Sequence, residues 1–277
     1  MSAHQYRVYD RWHSMGRYWQ LVRAGWQRSA AYRAATFAGG FTNTIFGFLR
    51  AAVLIATLKV AGHIGGYDRA DAITYTWLTQ GLIMVIAIWR WNDLALRIQT
   101  GDITTDLSRP IDLQRAWLAE DVGRAAYQGV FRGFPPFIVG SLFFTLRLPH
   151  HPITWLAFAL SLVLAVVVSF GMRFIVNLGA FWLLDWRGMA ALAGLLVTVL
   201  SGFAVPLNFF PHWARTLTEL LPWAAMVQLP INIFLEQQQG AQVVGLLALQ
   251  AAWAVALLAF GRRILAAGTK KLVVQGG

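Results

Sequence analysis

Six times along 277 residues the chain carries an apolar stretch of about 20 residues or more, at about 35–60, 73–92, 126–147, 153–178, 187–206 and 241–261. Crossing the ~30 Å hydrocarbon core of a bilayer takes about 20 helical residues. Inside it, backbone N–H and C=O groups find no water, so each crossing segment must satisfy them itself as a helix. The expected fold class is therefore an all-α integral membrane protein with six transmembrane helices, residues 1–277 forming a single transmembrane domain. Composition agrees: 57% of residues are hydrophobic and 13% are charged, against roughly a quarter charged in soluble domains. Many of the 13 tryptophans lie near the ends of the apolar runs, where amphipathic rings favour the headgroup zone.

The net charge of +11 would suggest nucleic acid in a soluble protein, but here the cations fall between apolar spans, so no nucleic-acid partner is expected. With the N-terminus placed in the cytoplasm, fifteen Lys and Arg lie in inner segments and only Arg69, Arg147 and Arg215 in outer connections. The positive-inside rule then puts both termini inside. Residues 1–33 hold six arginines and no apolar signal-like core. Within 15–33, Trp19, Val22, Trp26 and Ala30 recur at helical spacing, with Arg17, Arg23, Gln27 and Arg28 elsewhere on the wheel. This reads as an amphipathic helix in the cytoplasmic interface, attracted to anionic lipid headgroups.

Two connections are unusual. Residues 93–125, between spans two and three, are polar and cytoplasmic. Residues 205–238 are outside and carry Pro206, Pro211, Pro222 and Pro230 among large apolar residues. They are too apolar for a free loop and too proline-broken for one span, so short re-entrant outer helices shielded by protein are expected.

Several function classes are excluded or disfavoured. Without cysteine there is no thiol nucleophile and no thiolate metal site. The three lysines, Lys59, Lys270 and Lys271, do not follow the glycine pattern of a phosphate-binding loop. ATP-driven work would thus need a separate subunit. No Gly-x-Ser-x-Gly turn or His-Glu-x-x-His helix is present, and His150-His151 reads as a solvated outer turn. No catalytic residue and no metal site is expected. The spans contain almost no acid, with Asp93 and Asp185 at their cytoplasmic ends. That disfavours a proton-coupled carrier, which commonly needs midplane carboxylates.

Two stretches resemble a known family. One is Trp89-Arg90-Trp91 leading through Arg97 to Gly101-Asp102-Ile103 and Leu107-Ser108-Arg109-Pro110-Ile111-Asp112. The other is Ser201-Gly202, then Phe209-Phe210-Pro211 and Leu220-Leu221-Pro222. Together with the order of segments along the whole chain, they resemble the permease subunit of bacterial type-2 ABC exporters, in a subgroup with a Gly-Asp…Leu-x-Arg-Pro cytoplasmic loop. The resemblance implies a multi-pass protein of the bacterial inner membrane. It also implies pairing with a second permease, identical or homologous, and docking on ABC nucleotide-binding subunits that hold ATP and Mg. This chain would bind no cofactor itself. A stand-alone secondary carrier or channel remains the alternative.

Under that resemblance the loop bearing Gly101, Asp102, Asp106, Leu107, Arg109, Pro110 and Asp112 is the expected coupling element to the ATPase. Gly101 would permit a sharp change of direction and Pro110 would end the preceding helix. Gly39, Asn43, Gly47 and Arg50 share one face of span one at four-, four- and three-residue spacing. That face either lines the substrate route or holds a structural arginine, tied to carbonyls or to an outer acid such as Glu219. Arg132 with Gly129 and Gly133 is expected to mark helix packing. Asn177 is either a pathway group or an interhelical hydrogen bond. Phe209, Phe210 and Trp213 either close an outer gate or anchor the outer helices in the headgroup zone.

Overall fold

The computed structural model describes residues 3–61, 65–87, 92–183 and 185–275. The Trp89-Arg90-Trp91 motif lies outside the described residues. The chain is all-helical, 81% helix, with no strand among the described residues.

Helix α1 (Ala3–Ala30) runs to a break at Ala31–Tyr32, after which α2 (Arg33–Ala61) begins. Helix α3 (Arg69–Val85) starts at a capping box: Asp68 Oδ1 accepts from Asp71 N at 2.8 Å, and Asp68 N donates to Asp71 Oδ2 at 3.2 Å. Two short helices follow, α4 (Asp93–Thr100) and α5 (Ile103–Leu107). Helix α6 (Leu113–Gln128) continues through a π-helical turn, Gly129–Gly133, into α7 (Phe134–Phe143). Pro135 and Pro136 sit in the first turn of α7. Neither ring has an N–H to donate, and each clashes with the carbonyl four residues back. Widening the preceding turn, with Phe134 N bonded to Gly129 O, carries the helix past them.

The second half contains α8 (Pro152–Leu178), α9 (Arg187–Leu200), α10 (His212–Glu219), α11 (Gln228–Phe234) and α12 (Ala241–Gln275). Among the described residues, three helices are long and apolar enough to cross a membrane: Arg33–Lys59, Pro152–Phe181 and Ala241–Lys271. The apolar helix α9 is shorter, and the chain leaves helical geometry after Leu200, so the expected 187–206 span is helical only in its first part. The predicted 73–92 segment likewise begins as α3 but turns at Ile86–Ala87. Residues 205–238 form short helices joined by 3₁₀ turns, as their prolines require.

Helix α3 sits at the centre and is buried along most of its length, hydroxyls included. Thr76 and Thr79 satisfy their hydroxyls on carbonyls one turn back, of Ala72 and Tyr75. Glycines set how closely its neighbours approach. Trp77, fully buried, lies between Gly47 of α2 and Gly140 of α7: a Cβ at either would fall 2.6 Å and 2.4 Å from the indole. Helix α1 is seated on α6 rather than lying free. A Cβ at Gly25 would meet Glu120 O at 2.0 Å, and one at Gly123 would meet Val22 O at 1.8 Å. Val22 and Trp26 of the expected apolar stripe are partly buried, whereas Trp19 stays exposed. Trp26 meets Tyr127 edge-on at 5.3 Å.

Candidate functional site

The polar connection between α3 and α6 folds into a compact unit. Gly101 ends α4 in the left-handed conformation, φ 81°, the sharp turn its position predicts. Arg97 Nε donates to Asp106 Oδ2 at 2.7 Å, fastening α5 back onto α4. Asp112 caps α6 by accepting from Arg115 N at 2.8 Å. The Thr100 hydroxyl donates to Asp102 at 2.8 Å. Asp106 and Asp112 are therefore engaged in holding the loop's own shape. Asp102, Leu107, Arg109 and Pro110 face outward; Leu107 is 37% exposed although it is apolar.

Beneath this face the unit is bound to the transmembrane helices. Ile103, Leu94, Ala95 and Ile98 are buried in the main core. Asn92 at the N-cap of α4 makes no side-chain cap bond. The cap comes instead from another helix: Asn177 Oδ1 on α8 accepts from Ala95 N at 2.8 Å, while Asn177 Nδ2 donates to Arg173 O at 2.6 Å. Of the two expectations for Asn177, the structure realises the interhelical hydrogen bond. At the other end of α4, Trp186 Nε1 donates to Gln99 Oε1 at 2.9 Å, joining it to the corner before α9.

A buried ion cluster lies one turn away. Asp121 Oδ1 accepts from Arg124 Nε at 2.7 Å, and its Oδ2 accepts from Arg173 Nη2 at 2.6 Å. Arg124 also donates to the carbonyls of Met84 and Val85 at the end of α3. Three helices, α3, α6 and α8, thus meet through one carboxylate. Burial pushes the Asp121 carboxyl up, but the two guanidiniums outweigh it and hold it at about 2. Sequence reading missed this cluster, because Asp121 and Arg173 are far apart in the chain. The available signal was the presence of a cation, Arg173, near the end of an otherwise apolar span.

The cluster borders a cavity of about 410 Å3 framed by α1, α2, α4, α6 and α8. Four arginines line it, Arg28, Arg124, Arg132 and Arg173, with the acids Asp93, Glu120 and Asp121.

The expected face of span one packs on α3. Asn43 Nδ2 donates to Gln80 O at 3.1 Å, and Gly47 abuts Trp77. Arg50 donates to the carbonyls of Phe203 and Ala204, the latter at 2.8 Å, and stacks over the Phe203 ring at 4.9 Å. The carbonyl-tied arginine is the arrangement seen. Glu219 pairs instead with Arg215, at 2.9 Å. Arg132 lies against Gly39, where a Cβ would fall 2.1 Å from its guanidinium. Gly133 and Gly81 approach backbone to backbone, in keeping with helix packing at the Gly129–Gly133 turn.

Toward the N-terminal half of α3 a buried polar knot centres on Gln228, which sequence reading did not single out. Its Oε1 accepts from Tyr75 Oη at 2.8 Å and Leu207 N at 2.9 Å, and its Nε2 lies 2.9 Å from Asn208 Oδ1 and 2.7 Å from Asn232 Oδ1. Gly202, with φ 86°, passes so near that a Cβ would meet Tyr75 Oη at 2.5 Å. Phe209 and Phe210 pack against the core beside this knot, whereas Trp213 on α10 is exposed, so the three aromatics do not converge.

Long apolar helices packed with the buried helix α3 define a multi-pass membrane protein. Residues 41–276 match the family model described as ABC-2 family transporter protein. The match spans most of the chain, which therefore belongs to the ABC-2 transporter family. That family implies partnership with ABC ATP-binding subunits. Comparison with curated proteins and with solved structures finds no match.

Proposed function

We propose that the chain is the permease subunit of an ATP-driven exporter, with six spans and both termini in the cytoplasm of a bacterial inner membrane. It forms a substrate pathway with a second permease and is driven by a separate nucleotide-binding subunit that holds ATP and Mg. The chain itself carries no catalysis and binds no cofactor. Residues 205–238 re-enter the outer leaflet. There Phe209 and Phe210 wedge against the core while exposed Trp213 anchors α10 in the headgroup zone.

One observation carries this reading: the α4–α5 unit presents an exposed face, yet its underside is bonded to α8. Asn177 caps α4, and Trp186 holds its far end. A push on Asp102, Leu107 or Arg109 therefore reaches α8 through a rigid short unit rather than dissipating in a loose loop. Asp121 then passes the displacement to α3 and α6.

Because the chain lacks cysteine, single-cysteine variants report cleanly. Leu107→Cys should be labelled by a membrane-impermeant maleimide only from the cytosolic side, and should become protected when the ATP-binding subunit is co-expressed. Asp102→Ala/Arg109→Ala should abolish substrate-linked ATP hydrolysis or dissociate the complex. Labelling from the outside, or coupled hydrolysis undiminished in the double variant, would remove the coupling assignment. Flux through vesicles holding this chain alone would favour a stand-alone carrier instead.

A further inference from the structure

We propose that the inner cavity framed by α1, α2, α4, α6 and α8 is a binding site for an anionic phospholipid with a hydroxyl-bearing headgroup, gripped by Arg28 and Arg132. The inference rests on the membrane placement of the chain and not on the coupling role of the α4–α5 unit.

The cavity's ionic groups are unevenly satisfied. Asp121 is shared between Arg124 and Arg173. Among the described residues, Arg28 and Arg132 form no ion pair. Arg28 stands at the mouth, on the exposed side of α1 and within electrostatic reach of Glu120. Arg132 is partly buried, and its Nε is without a hydrogen-bond partner among the described residues. A guanidinium removed from water in this way favours an anion. A second group in the cavity is also unanswered: Gln128 is 6% exposed, and its Oε1 has no partner among the described residues. An orphan acceptor needs a donor. A phosphodiester bearing a hydroxylated headgroup supplies both, an anionic oxygen for the guanidiniums and an O–H for Gln128.

The surroundings indicate that this ligand is an amphiphile rather than a free phosphate. Arg132 lies against Gly39, and exposed phenylalanines neighbour both in sequence, Phe131 and Phe134 beside Arg132 and Phe37 and Phe41 beside Gly39 on α2. Apolar surface thus continues outward from the polar cavity, as acyl chains beneath a headgroup require. Trp117 lines the cavity wall and provides an intrinsic reporter.

The test uses the purified full-length chain in nanodiscs of phosphatidylcholine with phosphatidylglycerol as the minor, anionic component. Native mass spectrometry counts retained lipids after mild delipidation. The parent chain should retain phosphatidylglycerol over phosphatidylcholine by at least tenfold. Arg28→Gln/Arg132→Gln should lose that preference, and Arg28→Gln alone, at an exposed position that does not threaten folding, should weaken it about threefold. Arg262→Gln/Arg263→Gln, on α12 away from the cavity, should keep it. Equal retention in the cavity variants, or equal loss in the α12 control, overturns the site. Displacement by millimolar glycerol phosphate alone would show a soluble phosphate ester to be the ligand and overturn the lipid assignment. None of these outcomes depends on an ATP-binding subunit, so failure here leaves the coupling reading standing, and the reverse.

Discussion

Replacing Asp121 with Asn removes one charge and little volume from the point where α3, α6 and α8 meet. In the parent protein the carboxylate takes Arg124 Nε at 2.7 Å and Arg173 Nη2 at 2.6 Å, with Arg173 Nη1 at 3.2 Å from the other oxygen. All three side chains are close to fully buried. The variant leaves two guanidiniums facing each other over a neutral amide, and removal of one partner from a buried ion pair costs on the order of 3–5 kcal/mol. Proton linkage gives an independent figure. A carboxyl held at about 2 instead of its ordinary 3.8 contributes about 2–3 kcal/mol. The substitution should cost more than this, because it also strands the cations. Since the folded-state value is depressed, the contribution is complete above about pH 4 and lost as pH falls toward 2. Unfolding by SDS in mixed micelles, followed by tryptophan fluorescence, measures both. The Asp121→Asn variant should lose on the order of 3–5 kcal/mol at neutral pH and show a flattened response between pH 4 and 2. An apolar triple variant, Asp121→Leu/Arg124→Leu/Arg173→Met, should recover much of the loss, because it has no stranded charge. A loss below about 1 kcal/mol, the range of an exposed pair, or an unchanged acid response would refute the reasoning.

Two further substitutions probe the other junctions. Gly202→Ala should destabilise the packing of residues 201–238 by about 1–3 kcal/mol, since a non-glycine residue is strained at φ 86° and its Cβ would strike Tyr75 Oη; an SDS midpoint equal to the parent's would contradict this. Asn177→Leu deprives Ala95 N of its acceptor. Hydrogen exchange across 93–100 should then rise about tenfold, the equivalent of a lost helix cap, and exchange unchanged from the parent would show that Asn177 does not hold α4.

Much of the candidate site was legible as local chemistry. The glycine at 101 implied a turn and occupies the left-handed region. Asp112, read only as part of the coupling loop, caps α6 in the structure. Pro110 lies between α5 and α6, as a helix-ending residue should. Asp106, given the same reading as Asp112, has its carboxylate engaged with Arg97 within the loop. Side-chain type records what a residue can bond to, but not which neighbour reaches it first.

The sequence by itself determined the solvent. Apolar runs of that length place a helical chain in lipid, because transfer free energy depends on composition and length alone. Only the tertiary structure decided which helix faces meet. Asp121 finds Arg173, Asn177 finds Ala95, and Gln228 finds Tyr75 across long separations in sequence. In lipid, helical periodicity gives weak guidance about these partners, since outward faces are as apolar as the core. The pairings are set instead by close packing at Gly25, Gly47, Gly123 and Gly140, which fixes the distances at which buried polar groups can satisfy one another.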